Sequence, residues 1–150
     1  MRQLLNNNIR IIALRGNQNT GKTATLTIVY DMLTRIGYET ISREDLSNND
    51  FKAVLKDKKG ERVTIVTQGD YVIGQSSVKR HIEWAIEQCS ERLICACTTG
   101  TNKYRIQDYI NKYDHVYIDK NIEITPSLRL TINTLDAESI IEHLNNHLNN

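Results

Sequence analysis

The sequence predicts a three-layer α/β/α sandwich around a mostly parallel sheet. Two observations carry this reading. Short apolar runs, such as Ile9–Leu14 and Arg62–Val66, alternate along the chain with stretches whose apolar residues recur every three or four positions. Arg92–Thr98, "RLICACT", is nearly continuously apolar, as an interior parallel strand covered on both faces tends to be. At 150 residues the chain fits one domain, residues 1–150, large enough to bury a core.

The elements follow in order. Ile9–Leu14 reads as a buried strand rich in β-branched residues. Leu26, Val29, Leu33 and Ile36 form one helical stripe, and Gly37 stands where a helix C-terminus favours glycine. Tyr38–Ser42 reads as a second strand and Arg43–Asp50 as a polar loop. Phe51–Leu55 and Arg62–Val66 form a hairpin that turns at Asp57–Gly60. After a loop, Ser76 or Ser77 can cap a helix carrying Val78, Ile82, Ala85, Ile86 and Cys89 on one stripe. Tyr104–Lys112 is a short helix and His115–Asp119 the last strand. Asp136 can cap a final helix with Ile140, Ile141, Leu144 and Leu148 inward. Ligands of such sheets bind at the carboxyl ends of the strands, which singles out the loops Gly16–Thr23, Gln68–Gln75, Thr98–Arg105 and Asp119–Thr125.

Composition narrows the function. A formal net charge of +1 gives no global field for nucleic acid, which is not an expected partner. No apolar run approaches membrane-spanning length, and "MRQLLNNN" is too short and polar for a signal peptide. Cys89, Cys95 and Cys97 have no metal or redox spacing; Cys95 and Cys97 would share one strand face as buried thiols, consistent with a reducing cytoplasm.

The chemistry concentrates between the first strand and the first helix, in "RGNQNTGKTATL". Gly16-x-x-x-x-Gly21-Lys22-Thr23 matches the phosphate-binding loop, Walker A, in its required strand–loop–helix setting. The glycines let successive N–H groups point at an anion, and the following helix adds its positive end. Lys22 can reach the β- and γ-phosphates, and the Thr23 hydroxyl can ligate Mg²⁺. On these residues the chain resembles the P-loop NTPase superfamily over residues 9–36, with only topological likeness beyond.

The resemblance implies a P-loop NTPase fold that binds a nucleoside triphosphate and Mg²⁺. Gly16, Asn17, Gln18, Asn19, Thr20, Gly21, Lys22, Thr23 and Ala24 would form the nucleotide site. The second metal carboxylate would be Asp70, shortly after the apolar core of "RVTIVTQGD", with Asp119 next in line. Tyr71 stands after Asp70 where motor-type ATPases carry a glutamate, so the hairpin-led strand looks more like the kinase and GTPase branch. "NKYD", Asn111–Asp114, spells the guanine reader of GTPases but sits between a helix and a strand, at the wrong edge. ATP is therefore expected over GTP, with the base near Lys120 and Asn121.

Phosphoryl transfer also needs positive charge on the migrating group, which Lys22 supplies in part. Arg105 is the candidate lid arginine, and Arg43 a comparable contact for an acceptor. The expected function is a small cytoplasmic ATP-dependent phosphotransferase or NTP hydrolase, acting on a small acceptor. The alternative is a nucleotide-dependent switch that binds a protein partner. "SSVK", Ser76–Lys79, is better explained as a helix start than as a nucleophile. His143 and His147 fit a solvated face, and Trp84 the core.

Overall fold

The computed structural model describes residues 9–148. The expected inward turn of Leu148 and any pairing of His143 with His147 fall outside the described side chains. Six strands, β1 (Arg10–Gly16), β2 (Glu39–Asp45), β3 (Phe51–Lys56), β4 (Arg62–Val66), β5 (Arg92–Thr98) and β6 (Asp114–Asp119), form one sheet in the order β2-β3-β4-β5-β1-β6. Pairing is parallel from β4 through β5 and β1 to β6, and antiparallel between β2, β3 and β4.

Two helices cover each face. On one side α1 (Lys22–Arg35) and α4 (Pro126–Leu148) place Leu26, Val29, Leu33, Ala137, Ile140 and Leu144 over Ile12, Leu14, Ile65 and Ile94. On the other, α2 (Val78–Glu87) and α3 (Tyr104–Ile110) place Val78, Ile82, Ile106 and Ile110 over Ile11, Ala13, Leu93 and Cys95. Strand alternation sends neighbours Ile11 and Ile12 to opposite layers, and each such buried aliphatic contributes roughly 1.5–3 kcal/mol. The layered α/β architecture and mostly parallel sheet agree with the sequence. So do the Asp57–Gly60 turn, the Ser77 cap on Arg80 N, and the burial of Cys95 and Cys97 in one layer. Burial pushes the Cys97 thiol up to about 11, so it is neutral near pH 7.

Several boundaries depart from expectation. β2 continues through Arg43–Asp45, because pairing with β3 satisfies its backbone while every side chain on it is exposed, leaving no apolar signal. Ile36 is 55% exposed. The helix has already closed at Arg35, where Tyr38 N and Gly37 N bond back to the carbonyls of Leu33 and Thr34 and Gly37 takes φ +111°. Cys89 lies beyond α2 in a left-handed turn and is exposed. Trp84 is half-buried outside the core, with the Lys52 ammonium 4.2 Å from its ring centroid. α3 ends at Ile110, two residues short of the expected Lys112.

The largest departure is α4. It starts at Pro126, where a missing N–H costs nothing, so Asp136 lies in mid-helix and caps nothing. The Asp136 carboxylate instead accepts from Lys120 Nζ at 2.9 Å and from Asn121 N and Nδ2, with both charged side chains at most 3% exposed.

The parallel strands aim their carboxyl ends at one edge, and the four expected loops meet there. Thr99 N donates to Gly16 O, Thr98 N to Gly69 O, and Lys120 N to Arg15 O. Because β3 is antiparallel to β4, the residues entering β3 reach this same edge.

Candidate functional site

The loop Gly16–Thr23 leaves β1 and turns into α1. Asn19 and Gly21 take φ values of +61° and +93°, and Thr20 Oγ1 donates to Asn17 O at 2.8 Å. Gly21 also lies so close to Asn133 that a Cβ would meet its Oδ1 at 2.9 Å. As the residue before α1, Gly21 offers no side chain to cap the helix, and the first turn holds no acidic group. The amides of that turn are thus available to an anion.

Lys22 is 6% exposed, yet its Nζ meets no carboxylate within ion-pair distance among the described residues. It donates to two carbonyls of its own loop, Asn17 O at 2.7 Å and Gly16 O at 3.0 Å. Burial lowers its pKa, and the more distant charges of Asp70 and Asp50 oppose that shift. A buried ammonium held only by carbonyl dipoles is a poised anion partner.

A cleft of about 600 Å³ opens over this loop. Gln18, Asn19, Gly21, Lys22, Thr23 and Ala24 form one wall; Asn48, Asp50, Thr67, Asp70 and Tyr71 form the other. Gly16, Asn17 and Thr20 complete the loop behind it, and the Asn17 Oδ1 accepts from Thr99 Oγ1 at 2.7 Å. Asp70 lines the cleft, held by the Thr98 hydroxyl on its carboxylate and by Lys103 Nζ on its carbonyl. Gly69 makes this approach possible: a Cβ there would sit 2.4 Å from Ala96 O.

The sequence reading missed Asp50. Its Oδ1 accepts from Thr23 Oγ1 at 3.0 Å and from Thr67 Oγ1 at 2.8 Å, so it is the carboxylate that directly meets the loop threonine. The available signal was topological: a hairpin strand antiparallel to β4 must begin at the ligand edge, which puts the residue before Phe51 beside the end of β4. Asp119, the other candidate, turns away. Its carboxylate takes the Arg15 guanidinium at 2.7 Å, and that bond holds its pKa below the usual range. Arg105 is exposed on the first turn of α3 and is not among the residues lining the cleft. Arg43 stacks over Phe51 and Tyr30.

A second cavity of about 370 Å³ shares Asn19, Gly21 and Ala24 with the first. Ile122, Ile124 and Asn133 border it. Lys120 borders it too, but its ammonium is committed to Asp136 and Asn121 O, and the Asn121 amide to Asp136. Asn111 of "NKYD" accepts the Tyr117 hydroxyl at the amino edge, away from both cavities.

Among the described residues no group of three or more His, Cys, Asp or Glu could hold a metal, and no helix is long and apolar enough to cross a membrane. No protein-family model, no curated protein and no solved structure matches the chain.

Proposed function

We propose that the chain is a P-loop protein that binds a nucleoside triphosphate, ATP by preference, with Mg²⁺, and acts as a small cytoplasmic phosphotransferase or NTP hydrolase of the kinase-like branch. One observation carries the reading: a buried lysine bonded, among the described residues, only to backbone carbonyls stands at the uncapped start of a 14-residue helix. A triphosphate would give that charge its missing partner and occupy the first-turn amides.

The oxygen donors suit Mg²⁺. Thr23 Oγ1 and Asp50 would hold it, with Asp70 across the cleft, and phosphate oxygens and water would fill the remaining positions, as this hard cation prefers. Bound there, the ion would neutralise charge on the phosphate oxygens. Lys22 would stabilise charge that builds on the β–γ bridge during transfer. Stacking between Ile122 and Ile124 would suit a base in the second cavity, with Asn133 able to pair with adenine. The experiment is Mg²⁺-dependent ADP release from ATP by wild type and Lys22→Ala, with and without pooled small acceptors. Turnover that disappears in the variant supports the enzyme; unchanged turnover rejects Lys22 as its electrostatic catalyst.

One observation favours the switch reading. Lys22 holds Asn17 O while Thr99 holds the Asn17 side chain, so a phosphate that draws Lys22 away disturbs a residue tied to the loop after β5. Hydrogen exchange over residues 98–103 tests it: equal protection with an ATP analogue and with ADP counts against a switch.

A further inference from the structure

The outer face of the layer formed by α1 and α4 carries a groove that the nucleotide site does not use. It encloses about 300 Å³ between the last turn of α1 and the middle of α4. Met32, Ile36 and Ile141 give it an apolar floor, with Arg35 on the α1 wall and Glu138 on the α4 wall. Met32 and Ile141 are half-buried against the core beneath, while Ile36 is largely exposed.

A helix that covers one face of a sheet needs a single apolar stripe. In α4 that stripe is Ala137, Ile140 and Leu144. Leu130 and Leu135 lie off it, and both are largely exposed. Leu130 stands at helical spacing from Ile141, on the same flank of α4, and Leu135 stands one turn before Glu138. On α1 the half-buried Ile28 precedes Met32 by one turn. The groove is thus the centre of a larger apolar strip with charges at its rim, which is the composition of an interface.

The charges say what fits it. Arg35 and Glu138 are both exposed, and among the described residues neither forms an ion pair. A cation on one wall and an anion on the other, across an apolar floor, make the groove its own complement. A two-fold rotation about an axis through the floor brings Arg35 of each copy to Glu138 of the other. It also lays Met32, Ile36 and Ile141 of one copy against the same residues of the second. A partner helix of one charge sign would satisfy one wall and oppose the other.

We propose that this groove is the interface of a two-fold symmetric dimer of the chain. Arg35 lies at the opposite end of α1 from Gly21, about 20 Å away, so the interface is clear of the Gly16–Thr23 loop. The inference therefore stands apart from the nucleotide reading, and either can fail alone.

The test is sedimentation velocity of the full chain at low salt, over roughly 5–200 µM. Wild type is expected to pass from monomer to dimer across that range. Arg35→Glu and Glu138→Arg should each weaken association at least about tenfold, because each sets like charges against one another twice. An equimolar mixture of these two variants should recover wild-type association, since each chain of a mixed dimer meets the opposite charge on both walls. Ile36→Ser should weaken the dimer through its apolar floor, and mixing it with either charge variant should not restore it. All these positions are exposed, so the variants are expected to keep the wild-type fold by circular dichroism. A wild-type chain that stays monomeric throughout leaves the groove to another partner and overturns the proposal. So does a dimer that survives both charge reversals, which places the interface elsewhere. So does a mixture that remains monomeric, which assigns the loss to repulsion within each chain.

Discussion

Two lysines of this chain are almost equally buried, Lys22 at 6% exposed and Lys120 at 7%, and they live in opposite circumstances. Lys120, just after β6, meets Asp136 at 2.9 Å, and Asn121 saturates the same carboxylate from two sides. Its charge is settled inside the protein, and the pair fastens α4 to the strand end beside the Gly16–Thr23 loop. Lys22, at the start of α1, has two carbonyls and, among the described residues, no ion pair. On the function proposed above, the difference separates a structural charge from one held for a ligand. Burial alone does not distinguish them; the partner does.

The sharpest way to break the comparison is to remove Asp136. Asp136→Ala leaves the Lys120 ammonium buried without its carboxylate, and we expect a loss of about 3–5 kcal/mol in denaturant unfolding. Lys22→Ala should leave stability within about 1 kcal/mol, because it frees two loop carbonyls but strands no buried charge. Equal losses in the two variants would erase the distinction.

A similar loss is expected on acidification, from a third buried basic group. His81 Nε2 and Gln68 Oε1 are 2.9 Å apart, and burial pushes the imidazole pKa down to about 4. The unfolded chain, near 6.5, binds the proton first, so stability falls as pH drops from about 6.5 towards 4. One such group is worth about 3 kcal/mol over that window. His81→Asn should flatten this part of the stability profile, and a slope that persists in the variant would assign it to other groups.

Smaller again is Gly69→Ala. The new methyl would fall 2.4 Å from Ala96 O, and relief by backbone movement should cost about 1–3 kcal/mol. Since that movement carries Asp70, the variant should also weaken Mg²⁺-dependent nucleotide binding, which Gly60→Ala, in the distant hairpin turn, should not.

The Gly16–Thr23 loop was the most legible feature because its pattern is written in consecutive residues. Two glycines and Lys22-Thr23 sit between a β-branched run and a helical stripe, and local geometry alone brings them together. The core was nearly as legible: Leu26, Val29 and Leu33 are all fully buried. What escaped depends on partners distant in sequence. Asp50 reaches Thr23 only because β3 runs antiparallel to β4, and nothing in the polar stretch before Phe51 announces this. Arg43–Asp45 is strand because β3 lies beside it, although its side chains are all exposed. Asp136 looked like a cap, since an aspartate before an apolar stripe is the usual start signal, yet its partner Lys120 lies 16 residues back across a loop. Arg105 was chosen by loop position, whereas in the fold Lys103 is the residue of that loop that reaches Asp70.

The most direct test of the account is calorimetric titration of wild type and Lys22→Ala with ATP and Mg²⁺, with thermal unfolding of both proteins measured alongside. The account predicts saturable binding to wild type, affinity at least about tenfold weaker in the variant, and closely similar Tm values without ligand. Equal affinity in the two proteins, or no binding to wild type, would contradict the claim that Lys22 is held for a phosphate.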